Sequence, residues 1–274
     1  MKTILILSAL LLFSINAYSQ VIISPYVVYT DHKTKSATLI VTNNSSEIQE
    51  VAVSTKFGYP ISDKDGNIKM EYPDSTNKNS QDVTKYVKVF PKKFYLEPGE
   101  QQTVRLSVKA PVDLTIGTYW TRIVTTTKTK DSSGMVSSNP GFANVKLILS
   151  QVTTLIFRNK RYENSISITD IIESVSKDEL NLMLYYNVSG DSPFFADSRI
   201  RIFDSMNTMV DEKRESFSIY NSMIRRSTIG IRSLEPGTYC AEISVQSNLK
   251  DDVPVSDKPV KSPLIKKVYF KIGE

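Results

Sequence analysis

A tight turn feeding an alternating strand constrains this chain more than any other feature. Leu96-Glu97-Pro98-Gly99-Glu100 leads into Gln101-Gln102-Thr103-Val104-Arg105-Leu106-Ser107-Val108-Lys109. Pro98 presets φ at the second turn position, and Gly99 accepts the positive φ that a type II turn needs at the third. Val104, Leu106 and Val108 then fall on one face, with Thr103, Arg105 and Ser107 on the other. The period is two, so the element is a half-buried strand.

The same grammar runs along the chain. Val21–Tyr29 is a strand whose Pro25 suits an edge or a strand switch. Ser36–Asn43 alternates, with Ala37, Leu39 and Val41 inward, and Asn43-Asn44-Ser45-Ser46 is a turn cluster. Val51, Val53 and Phe57 continue the next strand. Residues 61–81 are polar and read as a surface hairpin or loop with Asp65-Gly66 as its turn. Tyr86–Phe90 ends at Pro91, and Gly117–Val124 follows the Pro98-Gly99 strand. A polar loop over 128–141 precedes a long final strand from about Ala143 to Phe157. Seven strands separated by turns predict an immunoglobulin-like sandwich over residues 20–157.

Arg158-Asn159-Lys160-Arg161 reads as a hinge into a second β-sandwich over 158–274. Its strand candidates are Ser165–Ile172, Leu180–Val188, Ser198–Phe203, Ser216–Tyr220, Ser227–Ile231, Gly237–Val245 and Leu264–Ile272. Leu234-Glu235-Pro236-Gly237 repeats the turn chemistry of residues 96–99. No segment keeps a helical period. The fold class is all-β, two immunoglobulin-like β-sandwich domains in tandem.

Residues 1–20, MKTILILSALLLFSINAYSQ, carry a positive Lys2, an apolar stretch from Ile4 to Phe13, and small residues Ala17 and Ser19 at a cleavage site. This predicts a signal peptide over 1–19 and an exported protein. No Cys follows the stretch, so no lipid anchor is expected, and no other window reaches transmembrane length. The formal charge is +5; Lys2 is the only charged residue of 1–19, so 5 − 1 leaves +4. No basic run with interleaved aromatics marks a nucleic-acid footprint. Cys240, the single cysteine, sits in a strand pattern and forms no internal disulfide.

A catalytic set is missing. His32, the one histidine, lies in a turn, so any triad or histidine metal site must pass through it. There is no phosphate-binding glycine loop and no nucleophile elbow. The chain is read as a non-enzyme without cofactor or metal.

Leu96–Leu106 resembles the L-x-PGE-x-x-x-(V/F)-R-(L/I) signature of the PapD-like periplasmic pilus chaperones. Lys35–Asn43 resembles that family's second strand, and Tyr119-Trp120 its aromatic pair. The resemblance covers about residues 21–160. It implies an L-shaped pair of Ig-like domains in the periplasm that donates the last strand of its first domain to pilin-like or secreted subunits, with an outer-membrane usher as a further partner. It implies partner-binding side chains at Val145, Leu147 and Leu149; the same spacing also fits side chains facing this domain's own core. It implies an interdomain salt bridge through Arg105, although the family's acidic partner is replaced by Ile116 or Gly117. The basic pair that holds a subunit's terminal carboxylate aligns with Val27 and Thr154, which cannot do so; Arg158, Lys160 and Arg161 are the nearby substitutes. A structural Ig-like module of an envelope assembly, without chaperone activity, is the alternative. The mature protein recovered from an envelope fraction is expected to begin at or near Gln20, read by N-terminal sequencing; retention of Met1 overturns the assignment.

Overall fold

The structure, a computed structural model, describes residues 21–73, 80–130, 148–160, 164–248 and 263–273. The signal peptide expected over 1–19 lies outside them. Among the described residues one 3-10 turn, Thr84–Tyr86, is the only helical element, and no helix is long and apolar enough to cross a membrane.

The first half contributes β1 (Val21–Ser24), β2 (Val27–Asp31), β3 (Ser36–Asn43), β4 (Gln49–Lys56), β5 (Tyr59–Ser62), β6 (Ile68–Glu71), β7 (Val87–Phe90), β8 (Lys93–Leu96), β9 (Gln101–Val108), β10 (Gly117–Thr129) and β11 (Ile148–Asn159). They build two facing sheets, β1-β3-β9-β7 and β2-β11-β10-β4-β8, with β5 and β6 as a separate hairpin. The first strand divides at Pro25. β1 pairs antiparallel with β3, whereas β2 pairs parallel with β11 in the opposite sheet. Proline has no N–H for a ladder, so the chain leaves one sheet there and joins the other. The short edge strand β8 is an addition that the alternation did not flag. Between the sheets lie Leu39, Val41, Val51, Leu96, Val104, Leu106, Ile123, Leu155 and Phe157, all buried.

The second half contributes β12 (Asn164–Val175), β13 (Glu179–Gly190), β14 (Phe194–Phe203), β15 (Met209–Ile219), β16 (Ser222–Gly230), β17 (Gly237–Ser247) and β18 (Leu264–Ile272). These form the sheets β12-β13-β16 and β15-β14-β17-β18. Strict alternation along β14, where residues 194, 196, 198, 200 and 202 are buried, shows why a period of two sorts each strand into a core face and an outer face. Leu180, Leu182, Leu184, Ile200, Ile202, Ile243 and Phe270 fill this second core.

Both halves use one corner. Tyr119 donates its hydroxyl proton to the Thr115 carbonyl at 3.0 Å, and Tyr239 donates to the Glu235 carbonyl at 2.8 Å. Each tyrosine follows a Gly-Thr pair in the stretches Leu114–Tyr119 and Leu234–Tyr239, and each opens the next-to-last strand of its sandwich. This is the tyrosine-corner device of Ig-like folds. Leu234–Gly237 therefore does the work of Leu114–Gly117, not of Leu96–Gly99 as the shared Pro-Gly chemistry implied.

The Pro98-Gly99 turn is type II in outline: Gly99 has φ +78°, and Glu100 N–H donates to the Glu97 carbonyl at 3.0 Å. It is docked by a fully buried Asn43, whose Nδ2 donates to the Glu47, Leu96 and Glu97 carbonyls at 2.8, 3.0 and 3.2 Å. Asn43 thus ties the β3–β4 and β8–β9 connections together. A Cβ at residue 99 would meet nothing within 4 Å, so the constraint there is φ alone. Gly99→Ala is expected to cost about 1–2 kcal/mol through left-handed strain. Asn43→Ala is expected to cost more, about 2–3 kcal/mol, because it strands buried carbonyls. Urea melts of the two variants check the order.

Candidate functional site

The last strand of the first sandwich is paired unequally. Along its whole length β11 is bonded to β10, from Gly117↔Asn159 to Lys128↔Ile148. On its other side β2 covers only Thr154 to Arg158. That ladder begins where Thr154 N–H donates to the Tyr26 carbonyl, and it ends where His32 N–H donates to the Arg158 carbonyl. Alternate residues of a strand aim both backbone groups to the same side. Ile148, Ser150 and Val152 therefore turn their N–H and C=O groups to an edge that no described strand covers. Leu149 lies on the inner face with Leu155 and Phe157; it is half-buried and stands apart from the first core. Ile148 and Val152, on the outer face, are 62% and 43% exposed, a second apolar pair that the family resemblance did not point to.

Toward the hinge, the outer face of this sheet becomes the wall of the cleft between the sandwiches. Its side chains form rows across the strands: Val27, Thr154, Arg122 and Lys56; then Tyr29, Ile156 and Trp120; then Asp31, Arg158 and Thr118. Trp120 stacks on Phe57 with ring centroids 5.7 Å apart and meets the edge of Tyr220, from the second sandwich, at 4.8 Å. Phe57, Trp120, Ile156 and Tyr220 form a small core of their own, joined by Val27, Tyr29, Tyr59 and Phe195. The β5–β6 hairpin extends the joint. Ile224 N–H donates to Ser62 Oγ at 2.7 Å, and Gly66, at φ +76°, sits so near Arg226 that a Cβ would lie 2.8 Å from its nitrogen. The segment read as a surface hairpin is a hairpin, but its tip is pressed against the second sandwich.

Arg122 and Arg158 are both buried in this wall, and Arg122 is the one that meets the second sandwich. Its Nε donates to the Gly58 carbonyl at 2.9 Å, its Nη1 donates to Thr154 Oγ1, and its guanidinium lies 5.0 Å from the Tyr220 ring centre. Nη2 is buried with no hydrogen-bond partner among the described residues. The Tyr220 hydroxyl lies beside Arg122 and Thr154 without a hydrogen bond of good geometry. Burial pushes that hydroxyl above the ordinary tyrosine range, against the opposing pull of Arg122 and Thr154.

The residues singled out from the sequence are dispersed. Val145 and Leu147 lie outside the described residues, as does Arg161. Arg158 is buried with its guanidinium 5.1 Å from the Tyr29 ring, whereas Lys160 is exposed at φ +70° and gives its backbone N–H to His32 Nδ1 at 3.2 Å. Those two cations do not converge on one open site. Val27 and Thr154 are register partners on adjacent strands. The buried charge of that row sits one strand further, on Arg122, with the exposed Lys56 beyond it. The interdomain bridge expected at Arg105 is not formed among the described residues. Arg105 is exposed on the outer face of β9, in the sheet opposite the one that meets the second sandwich. Arg122 and Tyr220 escaped the sequence reading. A Trp-x-Arg pair inside a strand whose only other charge is Lys128, near its far end, was the one available sign of Arg122.

No family model matches the chain, and no curated protein matches it. Among solved structures it is similar to a chain of the CsuC–CsuE chaperone–tip adhesion subunit pre-assembly complex of Acinetobacter baumannii, at 10% identity and TM-score 0.45, over 91% of this chain and 98% of that one. A second is from the Salmonella enterica SafA pilin–SafB chaperone complex, at 12% identity and TM-score 0.43, over 94% and 98% of the two chains. A third is the E. coli chaperone DraB, at 12% identity and TM-score 0.41, over 81% and 88%.

Tyr220→Phe keeps the ring contact with Trp120 and removes a buried hydroxyl, so stability at neutral pH should change by less than about 1 kcal/mol. Tyr220→Ala opens the joint and should cost about 3 kcal/mol. Because the folded protein holds the Tyr220 proton where the unfolded chain releases it, that contribution is present below the ordinary value of 10.0 and is lost as pH rises through the folded value. Melting curves from neutral to strongly alkaline pH should therefore fall less steeply for Tyr220→Phe than for the unaltered protein.

Proposed function

We propose that this protein is an exported, periplasmic chaperone-like binder that takes up extended segments of surface-fibre or secreted subunits by strand pairing along the uncovered half of β11. The reading is a binding role, not a catalytic one. One observation carries it: Ile148, Ser150 and Val152 present backbone donors and acceptors to an edge with no described neighbour. Such an edge is a template for another strand. Main-chain bonds supply the affinity. Leu149 supplies an inward apolar side chain for a partner's groove, and Val145 and Leu147, outside the described residues, continue its alternation in the sequence. Each apolar side chain so buried contributes about 1.5–3 kcal/mol before ordering costs.

A subunit carboxylate, in this reading, is drawn by the hinge cations Arg158, Lys160 and Arg161 and received by Arg122. The guanidinium fork fits a carboxylate, and its Nη2 donor lacks a partner. Tyr220 must then move aside. The filled cleft equally favours a second reading, a structural Ig-like module with a fixed joint and no chaperone cycle. An outer-membrane usher is a further proposed partner.

Backbone amide exchange separates the two. With a synthetic extended peptide of alternating valine and threonine, the amides of Ile148, Ser150 and Val152 should become protected, and Leu149→Glu should abolish that protection while the variant alone stays folded. Unfolding of Leu149→Glu by itself assigns the residue to the core. Absent protection with the unaltered protein favours the structural module.

A further inference from the structure

Just inside the uncovered edge, the inner face of the first sandwich changes character. Nearer the hinge it is apolar, with Ile123, Leu155 and Phe157 in the core. The next row outward pairs Thr125 with Gln151, and Thr127 and Thr153 on either side are also buried. Gln151 reaches across the mouth of the sandwich, donating through Nε2 to the Val21 carbonyl of β1 at 3.0 Å. An acceptor at Val21 fixes the amide's orientation, because only the NH2 end can face a carbonyl. Oε1 is consequently the free end. It is buried without a hydrogen-bond partner among the described residues, and so is Oγ1 of the fully buried Thr125 beside it. An apolar pair at this row would avoid the desolvation cost that both atoms carry.

We propose that Gln151 is the selectivity position of the strand-pairing site. A segment that adds to β11 is favoured when the inward residue beside Gln151 carries a short hydroxyl side chain, serine or threonine, with apolar residues at its other inward positions. Side chains opposite one another on paired strands have Cβ atoms about 4.5–5.5 Å apart, so a hydroxyl one bond from Cβ reaches the glutamine carbonyl and donates to Oε1. A valine in the same place leaves that oxygen buried and unpaired. Leu149, two residues earlier on the same face, takes the apolar neighbour. The inference rests on the strand pairing proposed above, and it adds the chemistry of the preferred segment.

The test uses the full mature protein and synthetic extended peptides. In the parent every inward residue is valine, and in each derivative one inward valine is replaced by serine, walking along the peptide. One serine derivative is expected to bind about tenfold tighter than the parent. Gln151→Leu should remove that advantage. Gln151→Glu, which keeps an acceptor oxygen while losing the donor to Val21, should retain it. Equal or weaker binding of every serine derivative to the unaltered protein overturns the proposal, as does an advantage that survives Gln151→Leu. If Gln151→Leu does not fold, the walk with the unaltered protein and with Gln151→Glu still decides. Protection of the Ile148, Ser150 and Val152 amides by all peptides alike leaves strand pairing standing and refutes only the selectivity. Protection by none refutes both.

Discussion

Backbone hydrogen bonding along β11 organises the molecule. A strand must satisfy two rows of donors and acceptors. β10 satisfies one row from end to end, but among the described strands the other is met only where β2 lies alongside, from Thr154 to Arg158. The short reach of β2 follows from Pro25, before which Val21–Ser24 lie on the opposite sheet. One proline thus sets where β11 is doubly paired and buried, and where no described strand covers its edge. The doubly paired end carries the cleft wall. The singly paired end carries the site proposed for a partner.

The joint between the sandwiches is the second consequence. Aromatic rings from both halves meet at Trp120 and Tyr220, and Arg122 is buried with them. Removing a guanidinium from water costs several kcal/mol. Here two hydrogen bonds and the Tyr220 ring offset part of that cost, the ring supplying about 2 kcal/mol when desolvated. An incompletely satisfied cation in a closed joint is an unusual use of a buried residue. It makes the joint sensitive to any anion that reaches it, in a way that a purely apolar contact would not be.

Much of this was legible in the sequence because it is local. Pro98-Gly99 specifies a turn from two residues, Pro25 specifies a break, and Leu264–Ile272 reads as a strand from its own alternation. The tyrosine corners were legible too, as Leu-x-x-Gly-Thr-Tyr at 114–119 and 234–239, but the Pro-Gly match between residues 98–99 and 236–237 pointed to the wrong pair. What stayed hidden depends on partners distant in the chain. Nothing near Arg122 announces Tyr220, and nothing near Asp65-Gly66 announces Arg226. Alternation placed Leu149 on the inner face, yet only the extent of β2 decides that this end of the face is half-buried. Val27 and Thr154 face one another on adjacent strands, and no local pattern in either segment points to Arg122 beside Thr154.

The parallel pairing of β2 with β11 also has a temporal side. It joins the first strands of the sandwich to its last, so the sheet cannot close until nearly the whole of that half has been synthesised. Contacts of such long sequence separation form slowly, since loop entropy is lost before they return any stabilisation. During that interval β10 offers the edge that β11 will later occupy. A protein proposed to shelter the unpaired edges of others must first survive a stage in which its own sheet is missing a strand.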